Sequence, residues 1–118
     1  MRRLAEWNTT GDMGGKSRSV ENSPQSLRRL HVFFSGTVQG VGFRYTVQRQ
    51  AERFKAITGW VRNLSDGRVE FTAEGSADEL ESFLSVIQNE MSGYIDTYDR
   101  SWEAPTGEWT QFSIAPTR

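Results

Sequence analysis

Apolar and polar positions first alternate regularly at Leu30-His31-Val32-Phe33-Phe34-Ser35, with Leu30, Val32 and Phe34 on one face and His31, Phe33 and Ser35 on the other. Period 2 predicts a strand with Val32 turned inward. From Phe43 to about Lys55 the period changes: Phe43, Val47, Ala51 and Phe54 recur at helical spacing, opposite Gln48, Arg49, Glu52 and Arg53. This helix is expected to cover one face of a sheet. Ile57, Gly59, Val61 and Asn63 then share strand parity, with Trp60 and Arg62 facing the other way. Asp66-Gly67 supplies a hairpin turn, after which Val69, Phe71 and Ala73 alternate with Glu70, Thr72 and Glu74. Ser76-Ala77-Asp78-Glu79 has the form of a capping box, and it opens a helix whose stripe is Leu80, Phe83, Leu84, Ile87 and Met91. Past Ser92-Gly93, Tyr94 to Glu103 reads as a strand in which Ile95 is out of phase with Tyr98, Arg100 and Trp102, the mark of a bulge. Ala104-Pro105-Thr106-Gly107 turns the chain into a last strand, Trp109 to Ile114, with Phe112 and Ile114 inward.

The order strand, helix, strand, strand, helix, strand, strand predicts an α+β fold, a ferredoxin-like sandwich in which one antiparallel sheet carries two helices on one face. That fold hosts many activities and does not by itself give a function. Residues 1–29 show no sustained period and mix Gly, Ser, Thr, Asn, Arg and Pro24, so a disordered N-terminal tail is expected there, with one domain over 30–118. A transit segment fits this tail poorly, because Glu6, Asp12 and Glu21 interrupt any basic face.

Composition narrows the chemistry. The chain holds no cysteine and one histidine, which excludes a thiolate nucleophile, a disulfide framework and His-cluster or Cys-based metal sites. No metal and no cofactor is expected. Net charge is −1, but residues 1–29 carry +3 and the remainder −4, and an acidic body argues against a nucleic-acid partner. No apolar run approaches the roughly 18 residues of a membrane span. A cytoplasmic monomer acting on a small molecule is expected.

The stretch Gly36-Thr37-Val38-Gln39-Gly40-Val41-Gly42-Phe43-Arg44, which joins the first strand to the first helix, reads as an anion cradle. Its glycines permit φ > 0 and let successive backbone N–H groups turn toward a common centre. The helix adds free N–H groups and the positive end of its dipole, and Arg44 adds a planar charged fork suited to phosphate oxygens. A Gly-rich connection of this kind is also simply a tight turn, and spacing alone does not separate the two readings. His31 lies on the opposite strand face, several residues before the loop, and reads as a sheet-face residue.

These residues resemble the first signature of the acylphosphatase family, and a second follows as Gly59-Trp60-Val61-Arg62-Asn63 with Gly67, Val69 and Gly75. The resemblance runs from about Leu30 to Ile114 and implies the same ferredoxin-like fold. It implies a hydrolase acting on acyl phosphates, in which Arg44 and Asn63 are catalytic, backbone N–H groups of Gln39, Gly40, Val41, Gly42 and Phe43 hold the phosphate with Arg44, and Asn63 orients the attacking water. Asn63 would otherwise be read as a turn residue. Such chemistry suits a chain with so few catalytic groups, because a carboxylate leaving group of pKa about 4 departs without a general acid. Between Arg44 and Asn63 the chain is about one residue longer than the family pattern, around Phe54-Lys55-Ala56-Ile57, and lacks a glycine ending the helix. If that residue shifted the strand by one, Asn63 would face the wrong side. Two rivals remain at this stage: a non-catalytic binding module of the same fold, and a carbamoyl-phosphate-handling relative of the acylphosphatase-like domain of hydrogenase-maturation carbamoyltransferases.

Overall fold

The computed structural model describes residues 26–118. Over them the chain runs β1 (Arg28–Gly36), α1 (Phe43–Phe54), β2 (Thr58–Asn63), β3 (Val69–Gly75), α2 (Ala77–Glu90), β4 (Ile95–Glu103) and β5 (Phe112–Ile114). The strands form one sheet in the order β4-β1-β3-β2-β5. Both helices pack on one face of it, the ferredoxin-like arrangement expected from the element order.

Most of the tail predicted over residues 1–29 lies outside the described residues. Its last two residues are strand, because Arg28 and Arg29 pair with Gly75 and Glu74 of β3 and their side chains find partners. Arg29 bonds Glu74 and stacks on Trp109, and Arg28 stacks on Trp102. β1 therefore begins two residues before Leu30.

Leu30, Val32 and Phe34 of β1, Val61 of β2, and Val69, Phe71 and Ala73 of β3 are buried under Phe43, Val47 and Ala51 of α1 and Leu80, Phe83, Leu84 and Ile87 of α2. Phe83 sits at the middle of this layer, with its ring 5.2 Å from Phe71, 5.8 Å from Phe112 and 5.9 Å from Phe54. Emptying such a site costs about 3–5 kcal/mol. Ser76 caps α2 as predicted, its hydroxyl accepting from the Glu79 backbone N–H at 3.2 Å.

The bulge in β4 falls where the phase break placed it. Gly36 pairs with Ile95 and Ser35 with Thr97, so Asp96 is the extra residue, and Ile95 and Tyr98 both reach the core side.

Two expectations about the sheet, its strand directions and the length of its last strand, are corrected. The sheet is mixed rather than antiparallel, since β5 runs parallel to β2, and β5 is three residues long instead of spanning Trp109 to Ile114. The reason is the β4–β5 connection. β4 ends beside the start of β1, the connection crosses the sheet at that same end, and β5 must start there alongside β2. Glu70, Thr72 and Glu74 of β3 are buried as well, although they face away from the helices. β3 is the central strand, and side chains from its neighbours, together with the crossing connection, close over it. Glu74 accepts from Arg29 Nε at 2.8 Å and from the backbone N–H groups of Thr106 at 2.9 Å and Gly107 at 3.0 Å. Burial raises the proton affinity of this carboxyl, but the two N–H groups and the Arg29 guanidinium outweigh it and hold the group below the usual carboxylate range. Glu70 accepts from Arg62 Nε at 2.9 Å and pairs with His31 Nε2, while His31 Nδ1 meets Glu103 at 2.7 Å. His31 is thus a sheet-face residue tied into an ionic cluster.

Candidate active site

Two connections meet at the end of the sheet opposite the Glu74 crossing: residues 37–42 between β1 and α1, and residues 64–68 between β2 and β3. In the first, Gly40 and Gly42 have φ of 78° and 79°, while Val41 between them does not take a positive φ. Alternation of this sign turns consecutive N–H groups toward one side, the backbone geometry that anion-binding concavities use. A Cβ at either glycine would meet nothing within 4 Å, so backbone conformation, not crowding by the protein, is what asks for glycine here. Gly42 is the N-cap of α1 and the helix has neither a side-chain cap nor an acid in its first turn. Among the described residues, no protein acceptor takes the backbone N–H groups of Gln39, Gly40, Val41, Gly42 or Phe43.

Arg44 is the second residue of α1 and half-buried. The other arginines of the helices and hairpin are tied: Arg49 to Glu90, Arg53 to Gln50 and Arg68 to Asp66. Arg44 has no hydrogen-bond or ion-pair partner among the described residues. A free cation in the first turn opposes the helix dipole, and an anion in the loop would relieve that conflict.

Asn63 ends β2 with the parity of Gly59 and Val61, both buried toward the helices, so the strand has not slipped. The chain leaves α1 through a tight turn before the strand. Lys55 has φ 61° and ψ −46°, and the Ala56 N–H bonds the Phe54 carbonyl at 2.5 Å across it, a γ-turn that reverses the chain out of α1. Asn63 Oδ1 is buried and has no hydrogen-bond partner, the one side-chain atom of that kind among the described residues. An orphaned buried acceptor costs about 1–3 kcal/mol unless something donates to it. A water in the site would be such a donor.

The structure brings the two connections together through Gln39. Its side-chain Nε2 donates to the carbonyls of Leu64 at 2.7 Å and Arg68 at 2.9 Å. The sequence reading gave Gln39 only a backbone role. A side chain reaching backbone 25 and 29 residues away leaves no local pattern, and nothing in the periodicity announces it. The loop is also pinned on its other flank, where the Thr37 N–H donates to the Tyr94 carbonyl at 2.9 Å. No group of three or more His, Cys, Asp or Glu among the described residues is placed to hold a metal ion.

The acylphosphatase family model matches residues 30–114. The acylphosphatase of Methanospirillum hungatei JF-1 is 55% identical over 69 residues, which is 58% of this chain and 75% of that protein. The acylphosphatase of Roseiflexus sp. RS-1 is 44% identical over 89 residues, covering 75% of this chain and 95% of its own length. The crystal structure of acylphosphatase from Bacillus subtilis aligns with a TM-score of 0.67 at 34% identity, over 75% of this chain and 98% of that one. The family model spans both signature segments and nearly all of the described sheet and helices, and the chain belongs to the acylphosphatase family.

Proposed function

We propose that this protein hydrolyses the carboxyl–phosphate bond of small acyl phosphates, giving a carboxylate and inorganic phosphate, with the 39–43 loop and Arg44 as its phosphate site and Asn63 as its water site. The loop N–H groups and the Arg44 guanidinium bind the phosphoryl oxygens and stabilise their charge as the bond breaks. Asn63 Oδ1 accepts a hydrogen bond from water and aims its lone pair at phosphorus. The new P–O bond forms as the bond to the acyl oxygen breaks, the electron pair leaves with the carboxylate, and the water proton passes to a phosphate oxygen. With a leaving group of pKa about 4, no side chain needs to donate a proton.

The observation that carries the residue roles is Asn63 Oδ1, a buried acceptor left unpartnered beside a loop of unpartnered donors. The two rivals, a binding module and a carbamoyl-phosphate-handling relative, are not favoured, because relatives matched over 75% and 95% of their own length are acylphosphatases. The reading places the enzyme in the cytoplasm as a monomer. In support, the chain has no cysteine, and the β4 edge carries Asp96, Asp99, Arg100 and Glu103, charges that discourage edge-to-edge pairing. No helix among the described residues is long and apolar enough to cross a membrane. Turnover of benzoyl phosphate and of carbamoyl phosphate by the purified protein is the test. Hydrolysis of the former is expected, and phosphate binding without turnover of either compound would overturn the enzymatic reading.

A further inference from the structure

We propose that the side chain of Gln39 is a positioning residue for this reaction, holding the hairpin that carries Asn63 at a fixed distance from the phosphate loop. The inference rests on the reading above, in which the loop holds phosphorus and Asn63 holds the water. Those two groups come from β1 and β2, which are not neighbours, since β3 lies between them. The two strands lie two spacings, roughly 10 Å, apart, and no ladder bond joins one to the other directly.

Gln39 Nε2 crosses that gap with both of its N–H groups, one to the Leu64 carbonyl and one to the Arg68 carbonyl. Both targets are oxygens, so the amide can only present its nitrogen here. The same two carbonyls close the hairpin: Leu64 O accepts from Gly67 N at 3.1 Å and Arg68 O from Leu64 N at 2.8 Å. Four hydrogen bonds therefore use both lone pairs of both oxygens. Leu64 directly follows Asn63. A movement of the loop against the hairpin is a movement of phosphorus against the attacking water, and an error of about 1 Å can cost on the order of 10²-fold in rate.

The arrangement also separates positioning from stability. Without the amide, each carbonyl keeps its backbone N–H, so the hairpin stays closed and no polar group is orphaned. Gln39→Met is therefore expected to fold, to lose about tenfold or more in kcat toward benzoyl phosphate, and to keep its inhibition by inorganic phosphate within about threefold. Unchanged kcat would overturn the proposal. So would phosphate inhibition that weakens in step with kcat, which would confine the side chain's action to the phosphate loop. A second measurement uses the wild-type protein and no turnover: titration with inorganic phosphate should shift the amide resonances of Leu64 and Arg68 together with those of Gly40 to Phe43. A response confined to the loop would refute the coupling even if catalysis is as proposed. A protein that shows both responses but turns over no acyl phosphate would refute the proposed function and leave the coupling standing. Absence of any shift would remove the phosphate site and this inference with it.

Discussion

Arg44 and Asn63 would meet the substrate at different moments, and replacing each should leave a different kinetic signature. Arg44 offers charge-assisted bonds to phosphate oxygens present in the ground state, the transition state and the product alike. Each is worth about 1.5–3 kcal/mol, so Arg44→Ala should weaken inhibition by inorganic phosphate by about 10- to 10²-fold and raise KM as kcat falls. Asn63 acts on water and not on phosphate. Asn63→Ala should lower kcat by about 10²- to 10³-fold with phosphate inhibition within about threefold of wild type, the pattern of a contact that matters in the transition state. Loss of phosphate binding in a folded Asn63→Ala protein would remove the water-orienting role. Every group given a role is a backbone N–H, an arginine or a non-titrating amide, so turnover should also be unchanged by EDTA. Inactivation by EDTA with rescue by Mg²⁺ would require a metal that the reading does not contain. Short contiguous signatures single out Arg44 and Asn63 as candidates, whereas Gln39 stands in the same signature as Arg44 with its long-range contact invisible.

At the scale of elements, the helix-to-strand passage at Lys55 is where the backbone is most constrained. Lys55 is the only non-glycine residue with positive φ among the described residues, and its Cβ makes that conformation costly by about 1–3 kcal/mol. Lys55 is exposed, so the substitution Lys55→Gly should remove the strain while touching little else. Allowing about 0.5–1 kcal/mol for the greater freedom of glycine in the unfolded chain, a net stabilisation of about 1 kcal/mol is expected. Urea denaturation of the two proteins measures it, and a destabilised variant with an intact fold would contradict the strained-turn account. β1, α1, β3 and α2 could be placed from periodicity because each has one apolar stripe matched to its own repeat. The short β5 and its parallel direction could not, since they follow from where a connection of eight residues, 104–111, crosses the sheet and not from any pattern within Phe112–Ile114. The burial of Glu70 and Glu74 was hidden for the same reason: their partners come from β1, β2 and that connection.

Across the whole molecule, the proposed chemistry and the buried Glu74 clasp occupy opposite ends of the sheet. β3 begins at Val69, beside the hairpin that carries Asn63, and Glu74 lies five residues on, about 17 Å along the strand. The clasp holds the β4–β5 connection against the central strand and so ties together the two edges of the sheet. Its effect on stability should therefore be separable from activity. Because the folded Glu74 carboxyl sits below its ordinary value, the unfolded chain takes up its proton first as pH falls. The stabilisation is then complete above the unfolded pKa of about 4.3 and is lost as pH drops through the lower folded value. Glu74→Gln keeps one acceptor but turns an N–H toward the donors of Arg29, Thr106 and Gly107, and should cost about 2–4 kcal/mol near pH 7. In urea denaturation the gap between variant and wild type should narrow as pH is lowered from about 5 to 3, because the wild-type protein then loses the same charge. The variant's kcat/KM near pH 7, at a temperature where it is folded, should match wild type within about twofold. A gap that stays constant down to pH 3 would mean that the carboxylate charge is not what holds the connection, and a large fall in kcat/KM would mean that the two ends of the sheet are coupled.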